Sequence, residues 1–222
     1  MVKQHDERRT EILDTARALF YRKGYDHTSI QDIIDTVGIA KGTFYHYFGS
    51  KVDLLDDLIK RMLQEAIQLI EPIVADGELN ALEKFNCCFS EALAWKMENK
   101  AFLLGILSAF YSDENALFRQ KLKEATVEGI APLLTRIIRQ GIAEGIFHAD
   151  YPDEVVEIVL VVGQWLSDTV GQMVLLANEQ SDPLPLIERW VAVVHQATER
   201  MLGAPPGSLQ MIDLDMLREW FE

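Results

Sequence analysis

The densest run of side chains able to do chemistry is Phe44-Tyr45-His46-Tyr47-Phe48, four aromatic rings and an imidazole in five positions, with Lys41 before it and Lys51 after it. Phenols, an imidazole and flanking ammonium groups can bond to phosphate oxygens and to the edges of nucleic-acid bases. His46 has neither a cysteine nor a second histidine at ligand spacing, so the run does not form a metal site. The two cysteines, Cys87 and Cys88, are adjacent. Neighbouring cysteines rarely bridge and two thiols do not complete a zinc site, so both are expected to be core-facing thiols of a reducing compartment. A redox sensor built on this pair is the alternative. No Ser-His-Asp set, carboxylate pair or phosphate-binding loop can be placed. The expectation is a non-enzyme with no catalytic residue, no metal and no cofactor.

The aromatic run needs elements to hold it. Residues 8–23 place Ile12, Ala16, Leu19 and Phe20 at helical spacing, and Gly24 is a stop. Thr28-Ser29-Ile30-Gln31 has the form of a capping box, opening a short helix with Ile30, Ile33 and Ile34 inward. A break at Gly38 precedes a third helix, Ala40 to Phe48, and the cap signal Ser50 to Asp53 starts a long fourth helix towards Pro72. Helix, tight turn, helix after a longer first helix is the helix-turn-helix layout, whose second helix enters the major groove. That layout sorts the rings. Phe44 and Phe48 are four apart, share one face and point into a three-helix core. Thr43, Tyr45 and His46 face outward, and Tyr47 near the helix end can reach a phosphate. Gly42 costs about 1 kcal/mol of helix propensity relative to Ala, and its missing side chain lets another backbone come close.

The net charge of −14 argues against nucleic acid until its distribution is read. Residues 1–51 hold eight basic and seven acidic residues; the remainder holds 13 basic and 28 acidic. An acidic body with a near-neutral head is compatible with DNA binding by the head alone. Further helices are expected at about 79–98, 101–111, 115–144, 153–178 and 184–202, with a short one in the C-terminal tail. The fold class is therefore all-α, a three-helix head followed by a larger helical body. The apolar stretch Val155 to Ala177 is interrupted by Glu157, Gln164, Asp168 and Gln172. It reads as a bundle helix or subunit interface, not as a membrane span. With no apolar signal region at the N-terminus, a cytoplasmic protein is expected.

The stretches ILDTARALFYRKGYDHTSIQDIIDTVGI and AKGTFYHYFGSKVDLL together resemble the DNA-binding domain of the TetR family of bacterial transcriptional regulators, over about residues 8–58. Ile34 stands where many relatives have alanine. The resemblance implies DNA contacts by Ser29, Lys41, Gly42, Thr43, Tyr45, His46, Tyr47 and Lys51, with Lys3, Arg8 and Arg9 as a basic arm. It divides the chain into a DNA-binding domain, 1–51, and an effector-binding and dimerisation domain, 52–222.

It further implies a homodimer on a palindromic operator, paired through residues 153–178 and 184–202. The face expected for that pairing carries Val155, Val159, Val162, Leu166, Val170 and Val174, beside a small-residue row of Gly163, Ser167 and Gly171. Trp190, Val191 and Val194 fit the second helix. Candidate contacts for a small, largely apolar effector are Trp95, Phe102, Phe110, Tyr111, Trp165 and Met173, with Phe118 also available. His195 is expected to be a satisfied core histidine. The function so implied is a ligand-responsive repressor. A DNA-binding protein governed by a protein partner or by thiol chemistry, and an enzyme with a vestigial head, are the competing readings.

Overall fold

The structure is a computed structural model that describes residues 2–176 and 182–221; for residues 2–5, 114, 117 and 118 it describes the backbone alone. The side chains of Lys3 and Phe118, and the end of the helix expected over 153–178, lie outside the described residues. Among those described, every regular element is helical: α1 (Val2–Lys23), α2 (Ile30–Val37), α3 (Lys41–Tyr47), α4 (Lys51–Ala75), α5 (Ala81–Glu98), α6 (Lys100–Tyr111), α7 (Ala116–Ala143), α8 (Pro152–Leu176), α9 (Leu184–Leu202) and α10 (Leu214–Arg218). Short 3-10 turns precede α7 and follow α10. α4 does not stop at Pro72 but continues to Ala75, and α7 likewise contains Pro132. An interior proline costs about 3 kcal/mol of helix stability, so tertiary packing overrides the local signal at both places.

The chain forms two compact units, residues 1–64 with 99–119, and residues 65–98 with 120–222. In the first, Ile12, Ala16, Phe20, Ile33, Phe44, Leu54, Leu55 and Leu58 are wholly buried and join α1–α4 into one core. α6 packs on α1, where a Cβ added to Gly105 would come within 2.7 Å of the Phe20 carbonyl oxygen.

The second unit is built on Phe85, Leu134, Ile137, Ile138, Phe147, Val159, Leu166, Val191 and Val194. Phe147 lies against Gly141, where any side chain would collide with its ring. Cys88 belongs to this core while Cys87 is half-buried, and both are free thiols. Burial pushes the Cys88 thiol up to about 12, the state of an inert buried thiol. The tail after α9 is strapped down by its own backbone. Asn86 donates to the Ser208 carbonyl and accepts from the Gln210 N–H, Glu199 accepts from the Leu209 N–H, and His195 Nε2 accepts from the Ile212 N–H at 3.2 Å. His195 thus has a hydrogen-bond partner as expected but is half-buried and not part of the core, and burial lowers its pKa.

α8 corrects one expectation. The stripe of Val155, Val159, Val162, Leu166 and Val170 packs on the core of its own unit, as do Val191 and Val194 of α9. The apolar residues left exposed lie elsewhere on these helices: Ile158, Val161, Trp165 and Leu176 on α8, Leu186 and Val193 on α9. A helix with apolar residues on most of its circumference has a second face to cover, and periodicity alone does not say which face the parent chain takes. α8 is the one described helix long and apolar enough to cross a membrane.

Candidate nucleic-acid interface

The interface is assembled on α2 and α3. α2 opens at Ser29, whose hydroxyl accepts from the Asp32 N–H at 3.0 Å while the Asp32 carboxylate accepts from the Ser29 N–H at 2.8 Å. The capping box is therefore Ser29 with Asp32, one residue beyond the expected Thr28 with Gln31. Thr28 is instead wholly buried, its hydroxyl donating to the Gly24 carbonyl at 2.8 Å. These bonds from Ser29, together with Lys23 at 3.1 Å, hold the Asp32 carboxyl well below the usual carboxylate range. An anion thus already sits where the α2 amides point, which is what the helix N-terminus favours.

α2 ends at Gly38, with φ 74°, and the N–H groups of Gly38 and Ile39 both bond the Ile34 carbonyl. That left-handed conformation is the reason for glycine at the turn. It sends the chain into α3, where Phe44 is wholly buried and Phe48 2% exposed, their centroids 5.8 Å apart. Burying a phenylalanine contributes about 1.5–3 kcal/mol, so the two rings fix the rotation of a seven-residue helix too short to be stable by itself.

That rotation sets what solvent meets. Lys41, Gly42, Tyr45 and His46 are exposed, as is Ser29, while Thr43 and Tyr47 are half-buried. Tyr45 is 46% exposed and stands edge-on to Phe44, with Lys41 Nζ 6.0 Å from its ring centroid. A Cβ on Gly42 would meet nothing within 4 Å, so close approach of another molecule, not of this chain, is what the absent side chain permits.

Lys51 is more committed than a flanking point charge. Its ammonium donates to the Tyr25 carbonyl at 2.9 Å and the Thr28 carbonyl at 3.0 Å, and lies 4.0 Å from the Tyr25 ring centroid. Burial lowers its pKa, opposed by the charge of Asp26. Two of three ammonium protons are engaged, leaving one for a phosphate. The basic arm also changes character. Arg9 pairs with Asp57 and lies over the Phe48 ring, and Arg8 pairs with Glu11, so both guanidinium groups are used within the head. The roles of Asp32 and Tyr25 were not read from the sequence. The Ser-x-x-Asp spacing was the available signal for the first; nothing local marked the second.

The effector candidates fall into two groups. Phe102, Phe110 and Tyr111 belong to the unit that holds the head, and Trp95, Trp165 and Met173 to the other. Phe102 is buried beneath the Arg17 guanidinium, and Phe110 stands edge-on to Tyr111. Trp165 is 43% exposed and stands edge-on to Trp190 at 4.8 Å. A groove of about 680 Å³ between α9 and the tail is bordered by His195, Glu199 and Leu209 and by none of the six. Among the described residues no cluster of metal-ligating side chains occurs.

A short exposed helix clamped by buried rings behind a glycine turn defines a helix-turn-helix DNA-binding protein. Comparison with known proteins agrees. Residues 12–58 match the model of the tetR family of bacterial regulatory proteins, and residues 95–173 that of the tetracyclin repressor-like C-terminal domain. The chain is 29% identical over 153 residues to the HTH-type transcriptional repressor KstR2 of Rhodococcus jostii, covering 64% of this chain and 69% of that one. It is 27% identical over 168 residues to the protein of the same name from Mycobacterium tuberculosis, covering 74% and 81%. A TetR-family regulator from Pectobacterium atrosepticum shares the fold with a TM-score of 0.69 at 19% identity, covering 92% of this chain and 99% of that one. The chain belongs to the TetR family. It is a DNA-binding transcriptional regulator, a class that is not enzymatic.

Proposed function

We propose that this regulator is a cytoplasmic, ligand-responsive repressor that binds a palindromic operator as a homodimer and is released by a small, largely apolar effector. The observation that carries the reading is α3, which presents Lys41, Tyr45 and His46 outward because Phe44 and Phe48 are locked inward. In this reading residues 1–51 contact DNA through Ser29, Lys41, Gly42, Thr43, Tyr45, His46, Tyr47 and Lys51, and residues 52–222 carry the dimer and effector functions. The similarity to proteins named as repressors supports repression over activation. The uncovered apolar residues of α8 and α9 support a two-fold pairing, since a dimer needs a self-complementary patch that one chain leaves open. They also supply the reason to read α8 as a subunit interface and not as a membrane span. An effector releases DNA only by binding better to the conformation that fits the operator worse. Trp95, Phe102, Phe110, Tyr111, Trp165 and Met173 are the candidate contacts.

The test is binding of Tyr45→Ala and Tyr45→Phe to an operator selected from random duplexes by the wild-type protein, and to scrambled DNA. Loss of a base contact should cost about 1–3 kcal/mol on the operator and little on scrambled sequence. If both variants stay folded and keep full operator affinity, α3 is not the reading helix.

A further inference from the structure

α9 ends at Gly203, whose φ of 59° turns the chain back, and the Ala204 N–H bonds the Glu199 carbonyl at 2.9 Å. The tail then returns along α9. His195 and Glu199 are four apart and share one face of the helix. They meet the tail at two amides: the Ile212 N–H donates to His195 Nε2, and the Leu209 N–H donates to Glu199 Oε1 at 3.3 Å. The groove of about 680 Å³ lies between helix and tail. Small-ligand sites run from about 300 to 1,000 Å³. Its walls are apolar at Ala192, Ala204 and Leu209 and polar at His195, Glu199 and Arg200.

Glu199 is the group that needs an explanation. It is 6% exposed and lines the groove, yet its carboxylate has no cationic partner among the described residues. Oε1 takes one bond from a neutral amide, and Oε2 takes none among the described residues. A buried carboxylate is costly unless a counter-charge and further donors meet it. Arg200, next in sequence, is exposed at the rim and forms no ion pair among the described residues. His195 does not supply the charge either. Its Nε2 accepts a hydrogen bond, so the ring is neutral, and burial lowers its pKa against the opposing charge of Glu199. The ring proton then sits on Nδ1, a donor with no acceptor among the described residues.

We propose that the groove between α9 and the tail is a binding site for a small amino alcohol, whose ammonium pairs with Glu199 and whose hydroxyl accepts from the Nδ1–H of His195. The ligand supplies the counter-charge that the chain withholds, and its carbon chain covers the apolar wall. Neither the DNA contacts nor the effector contacts proposed above enter this site.

The test uses 4-amino-1-butanol as the probe and 1,4-butanediol, which lacks the charge, as its control. Each is titrated into the full-length protein while the Leu209 and Ile212 amides are followed by nitrogen-15 NMR. The amine should move both amides saturably, and the diol at the same concentrations should move neither. Glu199→Gln keeps an acceptor for the Leu209 N–H but removes the charge, so it should weaken amine binding by at least about tenfold. Ala192→Trp fills the groove from its exposed rim while leaving Glu199 ionised, and should abolish the shifts. Equal shifts with amine and diol, or unchanged amine affinity in Glu199→Gln, overturn the site. So does the absence of any saturable shift, the result expected if a second copy of the chain fills the groove. Should Glu199→Gln not fold, Ala192→Trp decides alone: amine binding that survives it overturns the site.

Discussion

The head and the α8–α9 pair bury their apolar residues in opposite ways. In the head, Phe44, Phe48, Leu54, Leu55 and Leu58 all lie at or below 2% exposure, and apart from Val52, 40% exposed, what remains outside is mostly polar or aromatic with a polar tip. In α8 and α9 one face closes on the unit's own core while Ile158, Val161 and Val193 stay about half exposed. The head is saturated within one chain, and its surface chemistry is free for a polar polymer. The helix pair is not, and its exposed apolar area calls for another apolar surface. The same amphipathic rule therefore gives a finished domain in one region and an unfinished one in the other, because α8 is apolar on more of its circumference than one layer can cover.

The contrast breaks most sharply at Phe44. Phe44→Ala empties a wholly buried site, and by the usual cost of such cavities should lower the stability of the head by about 3–5 kcal/mol, read from urea unfolding. A loss below 1 kcal/mol would mean the α3 core is not closed. Next comes Val161→Arg. Val161 is 57% exposed in the protomer and on the uncovered face of α8, so the variant should fold normally. A charge placed in the proposed interface should raise the dimer dissociation constant roughly a hundredfold, about 3 kcal/mol. Sedimentation showing an unchanged dimer removes this face from the interface.

A smaller effect belongs to His195. Its folded pKa lies below the unfolded value of 6.5, so its contribution is fully present above pH 6.5 and is lost as pH falls through the folded pKa. Thermal stability should decline on acidification from pH 7 towards 5, and His195→Gln, which can still accept from the Ile212 N–H but does not titrate, should flatten that part of the profile. Asp32, whose folded pKa is lowered, acts well below this window and leaves it undisturbed. An identical profile in His195→Gln assigns the decline elsewhere. The smallest effect concerns the thiols. At neutral pH a thiol reagent should label half-buried Cys87 well before Cys88, and operator binding should not change on mild oxidation. Simultaneous labelling would show that the α5 core opens readily.

Much of the head was legible because its signals are local. Gly38 after an apolar turn, and Phe44 and Phe48 four apart, depend on neighbours within one turn of chain. The capping box slipped by one residue for the same reason: Thr28 and Ser29 both qualify as caps. Only the tertiary placement of Thr28 inside the head, bonded to the Gly24 carbonyl, decides between them.

By itself the sequence determined an all-helical fold, the order of its helices, and a short third helix with two rings inward and its polar groups outward. Short-range periodicity and turn chemistry suffice for these. Only the tertiary structure decided that residues 99–119 pack with the head, that Lys51 rests on Tyr25, and which face of α8 the chain keeps for itself. Those outcomes depend on which distant surfaces meet: Gly105 and Phe20 are 85 positions apart, and no pattern along the chain records that their backbones touch.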